Sequence, residues 1–214
     1  DGTSFWIFGG SLDGRGYSDL WKLTGSTFTL VSGLGNVDTR TGGNYPVSTG
    51  TPSLTHYPGS KADYGYWYLN NNFYFYGGYD TDAHAPGVAS RSDLWRFNTL
   101  TNEWTLLSGS ATNNITPTST NPGSTVEPLC WIGLDNNLWM YACNTQSMWK
   151  WVIATNQWEN IYFNSGSPTA AVSAGLNISS ITNKPGAQNT TLSHMRNSND
   201  VFMINGFGKG TNND

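Results

Sequence analysis

Charge is scarce in this chain. Of 214 residues, Lys plus Arg number 10 and Asp plus Glu 14, so 11% are charged, about half the usual globular share. No Lys/Arg cluster is present, which leaves nucleic acid little to hold. No run of about 18 apolar residues occurs, so no membrane span is expected. No signal peptide is visible, as in a mature or trimmed chain. The three histidines, His56, His84 and His194, lie far apart and none neighbours a cysteine ligand set, which argues against a zinc site. There is no Gly-x-Ser-x-Gly elbow. The only glutamates are Glu103, Glu127 and Glu159. Two of them sit in turn-like stretches, where carboxylates are usually solvated. No cofactor and no enzymatic activity are expected. No helical apolar stripe extends beyond a turn or two.

Glycine (25 residues) and aromatics (Trp 10, Tyr 11, Phe 9) are abundant instead. In "NFYFYGG", Asn72–Gly78, four consecutive aromatics cannot all face one side of a strand. Bulk on both faces calls for a sheet covered on both faces. The pattern recurs as "SFWIFGG" (Ser4–Gly10), "NLWMYAC" (Asn137–Cys143) and "DVFMING" (Asp200–Gly206), at spacings of 63 to 68 residues. Repeats of this period, rich in strand formers, predict a repeat architecture.

One full unit reads from Tyr57 to Gly109. It has a "YPG" turn, a strand over Tyr64–Leu69, an Asn-rich tight turn, a strand over Phe73–Tyr76, and a diglycine stop. A loop, a strand over Ser92–Thr99 and a strand carrying Trp104 follow. Short turns imply an antiparallel meander. The same order gives four units: a partial one over 1–33, full ones over 57–109 and 121–166, and a partial one over 184–214. The strand count is three, four, four and two. Polar segments rich in Gly, Thr, Asn, Ser and Pro join them at Leu34–His56, Ser110–Asn121 and Asn164–Asn183. Their similar endings suggest ordered parts of the repeat. One large sandwich is the alternative, though it does not require evenly spaced four-strand units.

Cys130 and Cys143 bracket "CWIGLDNNLWMYAC". A two-residue turn at Asn136-Asn137 would set them opposite each other, within reach of a cross-strand disulfide. Two buried free thiols are the alternative. Asn114, Asn177 and Asn189 head Asn-x-Ser/Thr sequons. Sequons, a disulfide and low charge together suggest an extracellular or cell-surface setting. Asp80 and Asp82 in "YDTDAH" are a weak calcium candidate against a plain polar turn.

The diglycines Gly9-Gly10 and Gly77-Gly78, the "DLW" triplets Asp19–Trp21 and Asp93–Trp95, and the trailing Trp104 and Trp158 resemble the kelch repeat of β-propellers, in its long-repeat extracellular variety. The resemblance covers nearly the whole chain. It implies an all-β fold of kelch-type propeller blades, each of four antiparallel strands, arranged as an incomplete ring or arc. It also implies that Gly9, Gly10, Gly77, Gly78, Trp21, Trp95, Trp104, Trp149 and Trp158 pack the blades. The third unit departs, with Ala142-Cys143 for the diglycine and Ser147-Met148-Trp149 for "DLW". The first has Phe28 for the trailing Trp. Closed propellers need about four to eight blades, and this chain supplies fewer than four. Copies of itself, or the remainder of a longer chain, are therefore the expected partners, with glycans as further ones. The expected function is that of a secreted or surface structural glycoprotein module, non-catalytic, which self-associates or mediates adhesion. A glycan- or protein-binding kelch module of a larger receptor-like protein is the alternative, and a fragment of a propeller enzyme the second.

Overall fold

The computed structural model describes residues 2–12, 15–33, 42–80, 89–162, 193–196 and 201–204. Among them there is no helix. The strands are β1 (Phe5–Phe8), β2 (Ser11–Leu12), β3 (Arg15–Gly16), β4 (Leu20–Thr24), β5 (Thr27–Ser32), β6 (Gly65–Leu69), β7 (Asn72–Tyr76), β8 (Tyr79–Asp80) and β9 (Ala89–Ser90). They continue as β10 (Leu94–Asn98), β11 (Glu103–Ser108), β12 (Leu129–Ile132), β13 (Leu138–Ala142), β14 (Ser147–Val152), β15 (Gln157–Tyr162), β16 (Ser193–Arg196) and β17 (Val201–Ile204).

All pairings between named strands are antiparallel. The first sheet has the order β1-β4-β5, the second β6-β7-β10-β11 and the third β12-β13-β14-β15. β16 pairs with β17, and short ribbons β2-β3 and β8-β9 extend beyond the diglycines. The tight turn between β6 and β7 follows from its sequence. Asn70 and Asn71 take φ of 50° and 59°, the left-handed values a two-residue hairpin demands and Asn tolerates. The last two strands of each large sheet carry a register shift at the same place, at Leu20/Trp21, Leu94/Trp95 and Met148/Trp149. The three sheets are thus copies of one pattern down to the bulge.

Alternation along β7 splits the four aromatics between two interfaces. Phe73 and Phe75 join Phe8 and Leu20 of the first sheet and Trp95, Phe97, Trp104 and Leu106 of the second in one cluster. Tyr74 and Tyr76 join Trp67, Leu138, Met140, Trp149 and Trp151 in another, between the second and third sheets. The second sheet is covered on both faces. Trp104 and Trp158 do the same job one sheet apart: Trp104 packs on Phe8 at 5.3 Å between ring centroids, and Trp158 packs edge-on to Tyr76 at 5.0 Å.

The free edge of β11 is also covered. Ser53 and Trp104 exchange backbone hydrogen bonds of 2.9 and 3.0 Å, and Gly50 N–H donates to Leu106 O at 2.8 Å. The described part of the first polar segment, 42–56, therefore runs along this edge and blunts it. Gly77, at φ 68°, lies so close to the Thr125 carbonyl that a Cβ would collide with it. Its neighbour Gly78 donates to that same carbonyl at 2.9 Å. The diglycine is thus where the end of one sheet's strand touches the chain entering the next sheet.

The disulfide expectation is corrected. β12 and β13 pair Ile132 with Leu138 and Cys130 with Met140. The connecting loop is Gly133–Asn137, closed by Gly133 N–H donating to Asn137 O at 2.9 Å. That loop is longer than the two-residue turn the sequence suggested, so the ladder carries Cys143 past the strand partner of Cys130. Both cysteines are free and buried. Burial pushes both thiols up, Cys143 from 9.0 to about 11. A raised folded value favours the neutral thiol. This contribution to stability is full below the ordinary thiol range and is lost as pH climbs toward 11. Urea midpoints are expected to fall between pH 9 and 11, less so in the Cys143→Ala variant. Thiol-alkylating reagents are expected to label native protein far more slowly than protein in urea.

Candidate interaction surface

The sequence-predicted packing residues fall between the sheets. Trp95, Trp104 and Trp149 are fully buried, Trp158 is half-buried, and Gly9 and Gly10 take φ of 62° and 98°. Trp21 differs, because it is only half-buried. Asn114 is exposed, in the loop after β11, and its side-chain carbonyl accepts from Ser90 N–H at 3.0 Å. Asn177, Asn189 and Asp82 lie outside the described residues, and of Asp80 only the backbone, in β8, is described. Among the described residues no group of three or more His, Cys, Asp or Glu comes together to hold a metal. No helix there is long and apolar enough to cross a membrane.

What the structure does bring together is apolar. Pairing places Phe5, Ile7, Trp21, Leu23, Phe28 and Leu30 on the outward face of the first sheet. Phe5 is 66% and Phe28 58% exposed, and Ile7 and Leu30 are exposed too. In the second sheet the same pattern positions hold Phe73, Phe75, Trp95, Phe97, Trp104 and Leu106. Those six form the face that the first sheet covers. The exposed face is thus the repeat's covered face, without a cover among the described residues. Contiguous apolar surface of this kind marks an interaction site.

The opposite end of the stack offers a match. On the outward face of the third sheet Trp131 and Trp139 stack at 6.0 Å, both half-buried. Lys150 lies 5.4 Å over Trp139. In the first sheet, Lys22 lies 5.2 Å over Trp6 in the same way, and Trp6 packs on Phe73 and Phe97 of the second sheet at 5.5 and 6.0 Å. Trp139 therefore occupies the covering position, and Phe5 and Leu23 the covered one. Around Trp139, Asp135 accepts from its Nε1 at 3.0 Å and Lys150 pairs with Glu159 at 2.8 Å. Burial tends to raise the Asp135 carboxyl, but hydrogen bonds from Asn137 and Trp139 and the charge of Lys150 outweigh it and hold it low.

Sequence reasoning singled out neither the Trp131/Trp139 pair nor the first-sheet face. The signal was there, since Phe5 and Ile7 align with Phe73 and Phe75 in the repeat. The alignment says which face is apolar, while only the structure says which face is uncovered.

No family model and no curated protein sequence matches the chain. Among solved structures, that of YjhT is similar with a TM-score of 0.41 and 10% identity, over 81% of this chain and 55% of that one. The chain thus spans little more than half of that structure's length.

Proposed function

We propose that this chain is a non-catalytic structural module of kelch-type propeller units, secreted or on a cell surface. It self-associates by stacking the outward face of its first sheet on the Trp131/Trp139 face of a second copy. One observation carries this reading: the face that the described residues leave uncovered repeats, position for position, a face buried inside the same chain. Stacking of unlike faces is heterologous, so copies add head to tail into rings or filaments. Low charge leaves little repulsion to oppose this. Under this reading Asn114 is available to carry N-linked sugar.

Sedimentation velocity across a dilution series tests the proposal. Concentration-dependent oligomers are expected for the native chain, and Phe28→Glu, which places a charge on the face at its β5 side, is expected to return it to monomer. A chain that stays monomeric at the highest concentration overturns the reading. A second reading rests on the Trp131/Trp139 pair with its Asp135, Lys150 and Glu159 rim. Stacked indoles beside polar groups also suit a sugar ring. A monomer that binds oligosaccharide, and loses it on Trp139→Ala, favours this reading over the first.

A further inference from the structure

The loop between β11 and β12 carries Asn114-Ile115-Thr116 and is pinned at the first two of these residues. Asn114 takes φ of 54°, a left-handed value that Asn tolerates. Its backbone N–H donates to Ser90 O at 2.8 Å. Its side-chain Oδ1 accepts from Ser90 N–H at 3.0 Å and from the Ser90 hydroxyl at 3.2 Å. A backbone N–H can only donate, so the amide atom facing it is the oxygen, and Nδ2 points the other way. Ile115 is held in turn by Ser124. Its N–H donates to Ser124 Oγ, and Ser124 N–H donates to Ile115 O, each at 2.8 Å. Asn114 and Thr116 are both exposed. Among the described residues nothing bonds Nδ2 of Asn114 or the hydroxyl of Thr116.

The fold thus uses only the oxygen of the Asn114 amide. An acceptor alone would latch the loop, and an aspartate would supply one. The two groups left over, Nδ2 of Asn114 and the Thr116 hydroxyl, are the two that distinguish an Asn-x-Thr acceptor site. We propose that Asn114 works twice: its carbonyl latches the loop to β9, and its amide nitrogen carries an N-linked glycan that leaves the latch intact. The donor is a sugar carried on a lipid diphosphate. Nδ2 bonds to the anomeric carbon, and the bond from that carbon to the diphosphate oxygen breaks. The diphosphate leaves with the electron pair, and the amide gives up one proton. The product is still an amide, so Oδ1 keeps both lone pairs for Ser90. β9 belongs to the ribbon beyond the diglycine that ends β7, and β7 lies in the sheet that is covered on both faces. The sugar therefore leaves from the rim of the middle sheet and not from the outward face of the first or third.

This inference rests on the secreted or surface setting proposed above, but not on stacking between copies. Glycopeptide mass mapping of the protein from its source tests it, before and after an amidase that removes the glycan and leaves aspartate. Sugar at Asn114 is expected. Bare Asn114 beside sugar at Asn177 or Asn189 overturns this site alone, whereas a chain bare at all three overturns it together with the setting. The latch is tested on the full chain secreted from eukaryotic cells, by amide hydrogen exchange at Ser90. Thr116→Ala is expected to lose the sugar and keep the latch, so that the Ser90 amide stays protected. Asn114→Gly, which takes the left-handed backbone without strain, is expected to lose both, and its Ser90 amide to exchange faster. Equal exchange in the two variants would mean that the carbonyl latches nothing. Sugar retained at Asn114 in Thr116→Ala protein would mean that the threonine plays no part. Either result overturns the proposal.

Discussion

Asp93→Asn is expected to destabilise the fold by about 3–5 kcal/mol, the usual result of breaking a buried ion pair from one side. Asp93 Oδ1 lies 2.5 Å from Lys61 Nζ, and the two side chains are 0% and 1% exposed. Lys61 also donates to Gly77 O at 2.8 Å. The other carboxylate oxygen accepts from Tyr45 OH and Trp95 Nε1, each at 2.7 Å. One carboxylate therefore ties together the chain entering β6, through Lys61 the diglycine ending β7, the segment along β11 and the tryptophan of β10. An amide has one acceptor oxygen where Asp93 uses two, turns an N–H₂ toward donors, and leaves the ammonium buried without its counter-charge.

The third sheet shows how the position is filled without charge. Thr125 stands at the counterpart of Lys61 and Ser147 at that of Asp93. Both are buried, and the Thr125 hydroxyl donates to Asn144 Oδ1 at 2.8 Å. Lysine and aspartate have been exchanged together. The double variant Lys61→Thr/Asp93→Ser is accordingly expected to lose less stability than the two single changes added, by about 1–3 kcal/mol in a urea double-mutant cycle. Strict additivity would mean that the pair is not coupled and that packing alone holds the site.

How much of this was legible in the sequence depends on what each residue type encodes by itself. β7 was legible because four aromatics in a row permit only a doubly covered strand. The β6–β7 turn was legible because Asn declares the left-handed backbone it takes at Asn70 and Asn71. The β12–β13 register was not. The sequence reading kept Asp135 on the strand, whereas its carboxylate accepts from Asn137 N–H at 3.2 Å and from Trp139 Nε1 at 3.0 Å. A side chain that bonds the backbone locally competes with the ladder and holds the loop open to Gly133–Asn137. That competition turned an expected disulfide into two separate thiols. Lys61 was illegible for another reason. A lone lysine after a Pro-Gly turn reads as solvated surface, and its burial depends on Asp93, 32 residues away. The ribbons β2-β3 and β8-β9 are too short for any periodicity to announce them.

The uncovered face yields the other large effect, in the contrast between two residues at one repeat position. Trp104→Ala is expected to cost about 3–5 kcal/mol, in line with large-to-small changes of buried aromatics. Trp104 is fully buried, packs on Phe8, Phe75 and Phe97 at 5.3, 5.5 and 4.9 Å, and donates its indole N–H to Ser32 Oγ at 2.8 Å across the sheet interface. Its removal opens a cavity where the first and second sheets meet and leaves Ser32 without that donor. Phe28 pairs with Leu23 as Trp104 pairs with Phe97, yet it is 58% exposed. Phe28→Ala is expected to change monomer stability by about 0.5 kcal/mol or less while weakening association strongly. Urea melts at concentrations too low for oligomers, read by tryptophan fluorescence, give the first quantity, and sedimentation gives the second. Beyond the larger indole and its bond to Ser32, the two substitutions differ in whether a neighbouring sheet lies on the face. A loss of 3 kcal/mol for dilute Phe28→Ala would place a cover on that face within the single chain, and stacking between copies would have nothing left to bury.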